Sequence, residues 1–181
     1  MAVDITEQIK QHLRVSSLPK IDPNTQQPEQ QEITNTDVES AAIPVVLAGY
    51  YKNTRNVEDA EKLINRSNEG ILNELFKEKT DEVIRSVSDC AKTDNATAQT
   101  TMEKAVVAVK KVLSENVKEI NGSTVMNFFT EQRSNILKHL PVELHAGEFL
   151  NDPAMDDKTN KMEGPMSDLM HNIEKIFSSS K

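Results

Sequence analysis

The sequence has no tryptophan, two tyrosines and one cysteine. Without Trp and with so few Tyr, the aromatic belt that marks a membrane interface is not available. Cys90 has no second cysteine to join, so no intramolecular disulfide forms and a reducing compartment suits the chain. Glycine is scarce, at five residues in 181, and none builds a phosphate-cradling loop. Gly122, just ahead of Ser123, has neither a second glycine nor a following lysine. Long apolar runs are also missing. The longest, Ala41 to Tyr51, falls far short of the ~20 residues that cross a bilayer. There is no excess of basic residues, since 21 Lys and Arg face 29 Asp and Glu. The net charge of −8 works against an electrostatic grip on nucleic acid or anionic lipid. No period-two run with β-branched enrichment reads as a strand. Met1 to Glu7 lack a basic region followed by an apolar core, so no secretory signal is read and a cytoplasmic location is expected.

What the chain does have is helical periodicity with caps. Asp4 is placed to cap a first helix carrying Ile5, Ile9 and Leu13. Ser16 to Asn35 mixes Pro19, Pro23 and Pro28 with glutamines and is expected to form a mobile loop. Thr36 to Glu39 reads as a capping box. The helix it opens runs to about Lys52, with Val38, Ala41, Ala42, Val45, Ala48 and Gly49 inward and a kink expected at Pro44. Shorter helices are expected over 57–66 and 69–76. Thr80 is placed to cap a helix with Val83, Val87, Cys90 and Ala91 inward, and Thr93 to Asn95 reads as a turn. A long helix from about Ala98 to Glu119 carries a stripe ending in Val117 and Ile120. Asn121 and Gly122 end it, Ser123 restarts a helix, and Ser134 to Leu140 forms a last short one before Pro141.

The order of elements suggests one unit used twice. Asn56 to Leu75 lies on Asn121 to Leu140 without a gap, pairing Ala60 with Val125, Leu63 with Phe128 and Ile64 with Phe129. The fold expected is an all-α bundle in a single domain. It comprises a first unit over 1–76, a second over 77–141, a loop over 142–164 and a C-terminal helix over 165–178. Adjacent helical residues point about 100° apart, so only one of Phe128 and Phe129 faces the centre of its own unit. The other ring is expected to dock on the terminal helix.

Three segments carry a resemblance. Asp37-Val-Glu-Ser-Ala-Ala-Ile-Pro-Val-Val-Leu-Ala-Gly-Tyr-Tyr-Lys52, Gly70-Ile-Leu-Asn-Glu-Leu-Phe76 and Asp81-Glu-Val-Ile-Arg-Ser-Val87 resemble the bacterial YidB-like family, a domain of unknown function. Gly122 to Pro141 is similar to that family's later block, a serine-capped helix leading to a Leu-Pro. The resemblance spans roughly Asp37 to Leu150, as a divergent member. It implies an all-helical fold and brings no catalytic residue.

Candidate chemistry is sparse. His139, Glu143 and His145 come nearest to a metal cluster, but Pro141 denies them a shared helical face. His171 and Glu174 lack a further ligand. Asp152, Asp156, Asp157, Asn160 and Glu163 do not follow calcium-loop spacing. Cys90 lies on an apolar face beside Asp89, which disfavours a reactive thiolate. Lys104, Lys110, Lys111 and Lys118 are interleaved with acids and read as a solvated face. No catalytic residue, metal or cofactor is therefore expected. The expected function is a non-enzymatic structural or protein-interaction module, with a protein partner or self-association. Its apolar contact surface is Met166, Leu169, Met170, Ile173 and Phe177 on the terminal helix. The alternative is a carrier of an apolar small molecule or lipid between the two units, near Ala41 to Gly49 and Val106 to Leu113.

Overall fold

The computed structural model describes residues 4–15, 37–137 and 139. They form seven α-helices: α1 (Ile5–Leu13), α2 (Val38–Asn53), α3 (Val57–Ile64), α4 (Ile71–Phe76), α5 (Thr80–Cys90), α6 (Asn95–Asn116) and α7 (Gly122–Leu137). A 3-10 turn, Lys77–Lys79, joins α4 to α5. No strand occurs among the described residues. The all-α fold read from periodicity is the fold observed.

The bundle is organised around α2. Each of the other six helices packs against it. Every residue from Ser40 to Tyr51 is buried. The sequence reading assigned this helix one inward face. Ile43, Val46 and Leu47, on the opposite side, are buried as well. A helix that is apolar all round belongs in an interior, and the Ala41 to Tyr51 run is such a helix. The small side chains of Ala41, Ala42, Ala48 and Gly49 leave room for neighbours to approach. The helix is continuous through Pro44.

Local chemistry sets the boundaries, and several differ from expectation. Asp4 caps α1, its Oδ1 accepting from the Thr6 and Glu7 amides at 3.0 and 3.4 Å. At α2 the N-cap is Asp37, which makes no side-chain cap bond, while Thr36 lies outside the described residues. Thr80 does not cap α5. Its hydroxyl donates back to the Lys77 carbonyl at 2.8 Å, within the 3-10 turn. Asp94 starts α6 earlier than expected, accepting from the Thr97 amide at 2.9 Å and the Thr97 hydroxyl at 2.7 Å. At its far end α6 stops at Asn116, so Val117 and Ile120 are not on the helix.

The largest departure is in α7, one helix of 16 residues where two were expected. The reason is glycine. α3 and α4 are parted by Gly70, whose φ of 78° is left-handed. The position aligned with Gly70 is Asn135, which stays helical. With no glycine or proline between Ser123 and Leu137, nothing interrupts the helix.

One core group is poorly served. Tyr50 is 1% exposed, and its hydroxyl makes no hydrogen bond among the described residues. Burial pushes its pKa well above the ordinary tyrosine range. Removing an unpaired buried hydroxyl removes its desolvation cost. Tyr50→Phe is therefore expected to raise stability by about 1–2 kcal/mol, read as a higher urea midpoint. A lower midpoint would mean that the hydroxyl has a partner beyond the described residues.

Candidate interaction surface

Two of the three exposed large apolar side chains among the described residues, Val57 and Ile120, lie near the place where α3 meets the start of α7, and the third, Val107, stands apart on α6. Asn56 caps α3, its Oδ1 accepting from the Asp59 amide at 2.8 Å. Ala60 and Leu63 turn inward towards the bundle and are buried, and α3 packs along α7. That leaves Glu58, Asp59, Glu61 and Lys62 outside, all exposed. Val57 is 47% exposed at the first turn, and so is Ile120, two residues before α7 begins. A depression of about 610 Å³, largely open to solvent, is lined by Val57, Glu58, Glu61, Lys62 and Asn65.

This corner is held rigidly. The Gly122 amide, at the head of α7, donates to Glu61 Oε2 on α3 at 2.5 Å. A carboxylate at a helix N-terminus meets both an unpaired N–H and the favourable end of the dipole. Asn121 closes the same terminus locally, its Oδ1 accepting from the Thr124 amide at 3.0 Å. The approach is close enough that a Cβ on Gly122 would overlap the Val57 carbonyl oxygen.

The charges around the depression are paired. Lys62 Nζ lies 3.0 Å from Glu58 and 3.4 Å from Asp59. The Asn56 amide and then Lys62 hold the Asp59 carboxyl below its usual range, and Glu58 and Asp59 raise Lys62. Both shifts favour the charged form of each group at neutral pH.

The residues singled out in the sequence fall in several places. Met166, Leu169, Met170, Ile173 and Phe177 lie outside the described residues, as do Glu143, His145, His171, Glu174 and the Asp152 to Glu163 acids. The expected docking of a phenylalanine on the terminal helix lies there too. Within the described residues, Phe129 is 0% exposed and stacks on Tyr50 of α2, with ring centroids 5.5 Å apart. Phe128 meets it edge-on at 5.7 Å. Cys90 is half-buried and in no disulfide. His139 is buried, and no group of three metal-ligating side chains occurs among the described residues. Lys104, Lys111 and Lys118 are exposed, whereas Lys110 is half-buried and donates to the Arg66 carbonyl at 2.5 Å. Its pKa falls through burial. At the seam proposed for an apolar ligand, α2 and α6 pack directly together. Ala41, Val45, Ala48, Val106, Val109 and Leu113 are each at most 3% exposed there.

Sequence reasoning missed the α3 corner. Val57 was read simply as the start of a helix, and Ile120 was placed in the inward stripe of α6. Because α6 ends at Asn116, Ile120 instead stands in the connection to α7, facing solvent. No helix among the described residues is long and apolar enough to cross a membrane. Comparison with protein-family models, with curated proteins and with solved structures finds no match.

Proposed function

We propose that this chain is a non-enzymatic, cytoplasmic, helical protein-interaction module that works by contact with a protein partner or a second copy of itself. The observation that carries this reading is the α3 corner. Half-exposed Val57 lines a shallow depression beside the Glu61 to Gly122 bond, and a second half-exposed aliphatic side chain, Ile120, stands two residues ahead of Gly122 in the connection to α7. Rigid apolar groups in a polar rim bind with little ordering cost. On this reading the Met166 to Phe177 stripe is a second contact element, and the chain is a divergent relative of the YidB-like family. A duplicated ancestry is part of the same proposal. The packing of sequence-aligned helices on each other, α2 on α6 and α3 on α7, supports it. The unbroken α7 counts against it.

Native mass spectrometry of protein purified from its own host tests the reading. The wild-type chain is expected to carry a protein partner or a second copy. The double variant Val57→Asp/Ile120→Asp is expected to lose it while melting within a few degrees of wild type, because exposed substitutions shift stability by roughly 0.5 kcal/mol. A monomer carrying an apolar small molecule would replace this reading with the carrier. A complex indifferent to both substitutions would move the contact surface elsewhere.

A further inference from the structure

We infer that the groove between α6 and α7 is a helix-accepting site, filled in cis by α1, that takes an amphipathic helix of the same pattern in trans. The inference rests on the interaction-module reading. α1 is a nine-residue helix, too short to be stable alone in water. It lies mainly on α6 and α7. Residues 16–36 separate it from α2, so its place in the bundle is not dictated by a tight turn.

Its apolar anchors are few. Ile5 and Ile9 are fully buried, and Leu13 and Val15 partly so. The rest of the attachment is polar and graded along the groove. At the N-terminal end the Ile5 amide donates to Gln132 Oε1 at 3.1 Å, and Asn135 Nδ2 donates to the same oxygen at 2.9 Å. The Thr6 hydroxyl donates to the Asn135 carbonyl at 3.4 Å. In the middle, Asn116 Nδ2 donates to Gln8 Oε1 at 2.6 Å, with the return bond at 3.5 Å. At the C-terminal end His12 Nε2 lies 3.0 Å from Glu115 Oε2.

These contacts specify what the groove recognises. Gln132 takes a free backbone N–H, a group that only a helix start offers, and so fixes direction. Apolar side chains four apart fill the floor. A carboxamide three residues after the first of them meets Asn116, and an imidazole or ammonium seven residues after it meets Glu115. This is helix-in-groove recognition with polar register marks, in which the marks give specificity rather than affinity. A partner helix meeting those conditions competes with α1 for one surface.

The test keeps the chain whole. In Ile5→Asp/Ile9→Asp the cis helix no longer fits, and the probe is a fluorescein-labelled synthetic peptide of residues 4–15. The variant is expected to bind the peptide saturably and about tenfold or more tightly than wild type, where the occupied groove is rarely available. Gln132→Ala added to the variant is expected to weaken peptide binding without lowering its melting temperature by more than a few degrees. Hydrogen exchange on the wild type gives a second readout, with the Ile9 amide expected to exchange by a local opening well before the Val45 amide. The inference is overturned if the folded variant binds no peptide, if wild type and variant bind it equally, or if Ile9 and Val45 exchange together through global unfolding. A variant that does not fold overturns it too, since α1 would then be integral to the core. Loss of peptide binding alongside a native complex sensitive to Val57→Asp would remove the groove and leave the interaction-module reading standing.

Discussion

Gly122→Ala is expected to destabilise the protein by about 2–5 kcal/mol, an unusual cost for one methyl group. The added Cβ has nowhere to go, because it meets the Val57 backbone carbonyl rather than a side chain able to rotate away. Relief requires α7 to move off α3, which breaks the bond from the Gly122 amide to Glu61. Overpacking accounts for roughly 1–3 kcal/mol and a hydrogen bond to a charged group for a similar amount. The helix-propensity gain of alanine, about 1 kcal/mol, offsets only part. Gly70→Ala is the control. It has a positive φ but open space around it, so it carries only the conformational cost of about 1–2 kcal/mol. Urea denaturation of the two variants separates them. Equal midpoints would show that α3 and α7 slide apart easily and that the corner is not rigid.

Phe129→Ala is expected to cost about 3–5 kcal/mol, the range for deleting a fully buried aromatic ring. The ring is 0% exposed and stacks on Tyr50 with planes 10° apart. It also supports Phe128, which meets it edge-on, so truncation leaves two rings without a neighbour. A double-mutant cycle with Tyr50→Leu is expected to show a coupling of about 1 kcal/mol, as stacked aromatic pairs do. A loss below about 1 kcal/mol for Phe129→Ala, well under the usual range, would mean that α7 is not packed on the centre of the bundle.

The legible parts of this fold were those set by local chemistry. Asp4 capping α1 and the apolar run of α2 both act over a few residues, and both were readable. Phe129 stacks on α2 with Phe128 buried beside it, while the docking expected on the terminal helix lies outside the described residues. What was misread depended on competition between local signals. Thr93, Asp94 and Asn95 form a turn-like cluster by composition, yet Asp94 satisfies the Thr97 amide and pulls the helix start back to Asn95. Ser134 was expected to begin a separate short helix, but with no glycine ahead of it the chain had no inexpensive way to leave α7. The α3 corner was invisible for a different reason. The Glu61 to Gly122 bond joins residues 61 positions apart, and no periodicity or motif records such a pair. The central position of α2 was half-visible. Its length of uninterrupted apolar sequence was plain, but the helical stripe reading gave it one inward face and the doubled-unit reading made it an equal of α6. α6 keeps an exposed face, with Glu103, Lys104, Val107 and Lys111 in solvent.

The burial of α2 on every side bears on how the chain is made. Its apolar stretch, Ala41 to Tyr51, leaves the ribosome before two of its main coverings, α6 and α7, which end at Asn116 and Leu137. At about 5–20 residues per second, several seconds or more pass between those events. Throughout that interval the stretch has no complete shelter, and it carries no charge from Ala41 to Tyr51. An uncharged apolar segment waiting for partners is a site for aggregation or for capture by a chaperone. The nascent chain is therefore most at risk while α6 and α7 are being synthesised, and slower translation across 95–137 lengthens that exposure.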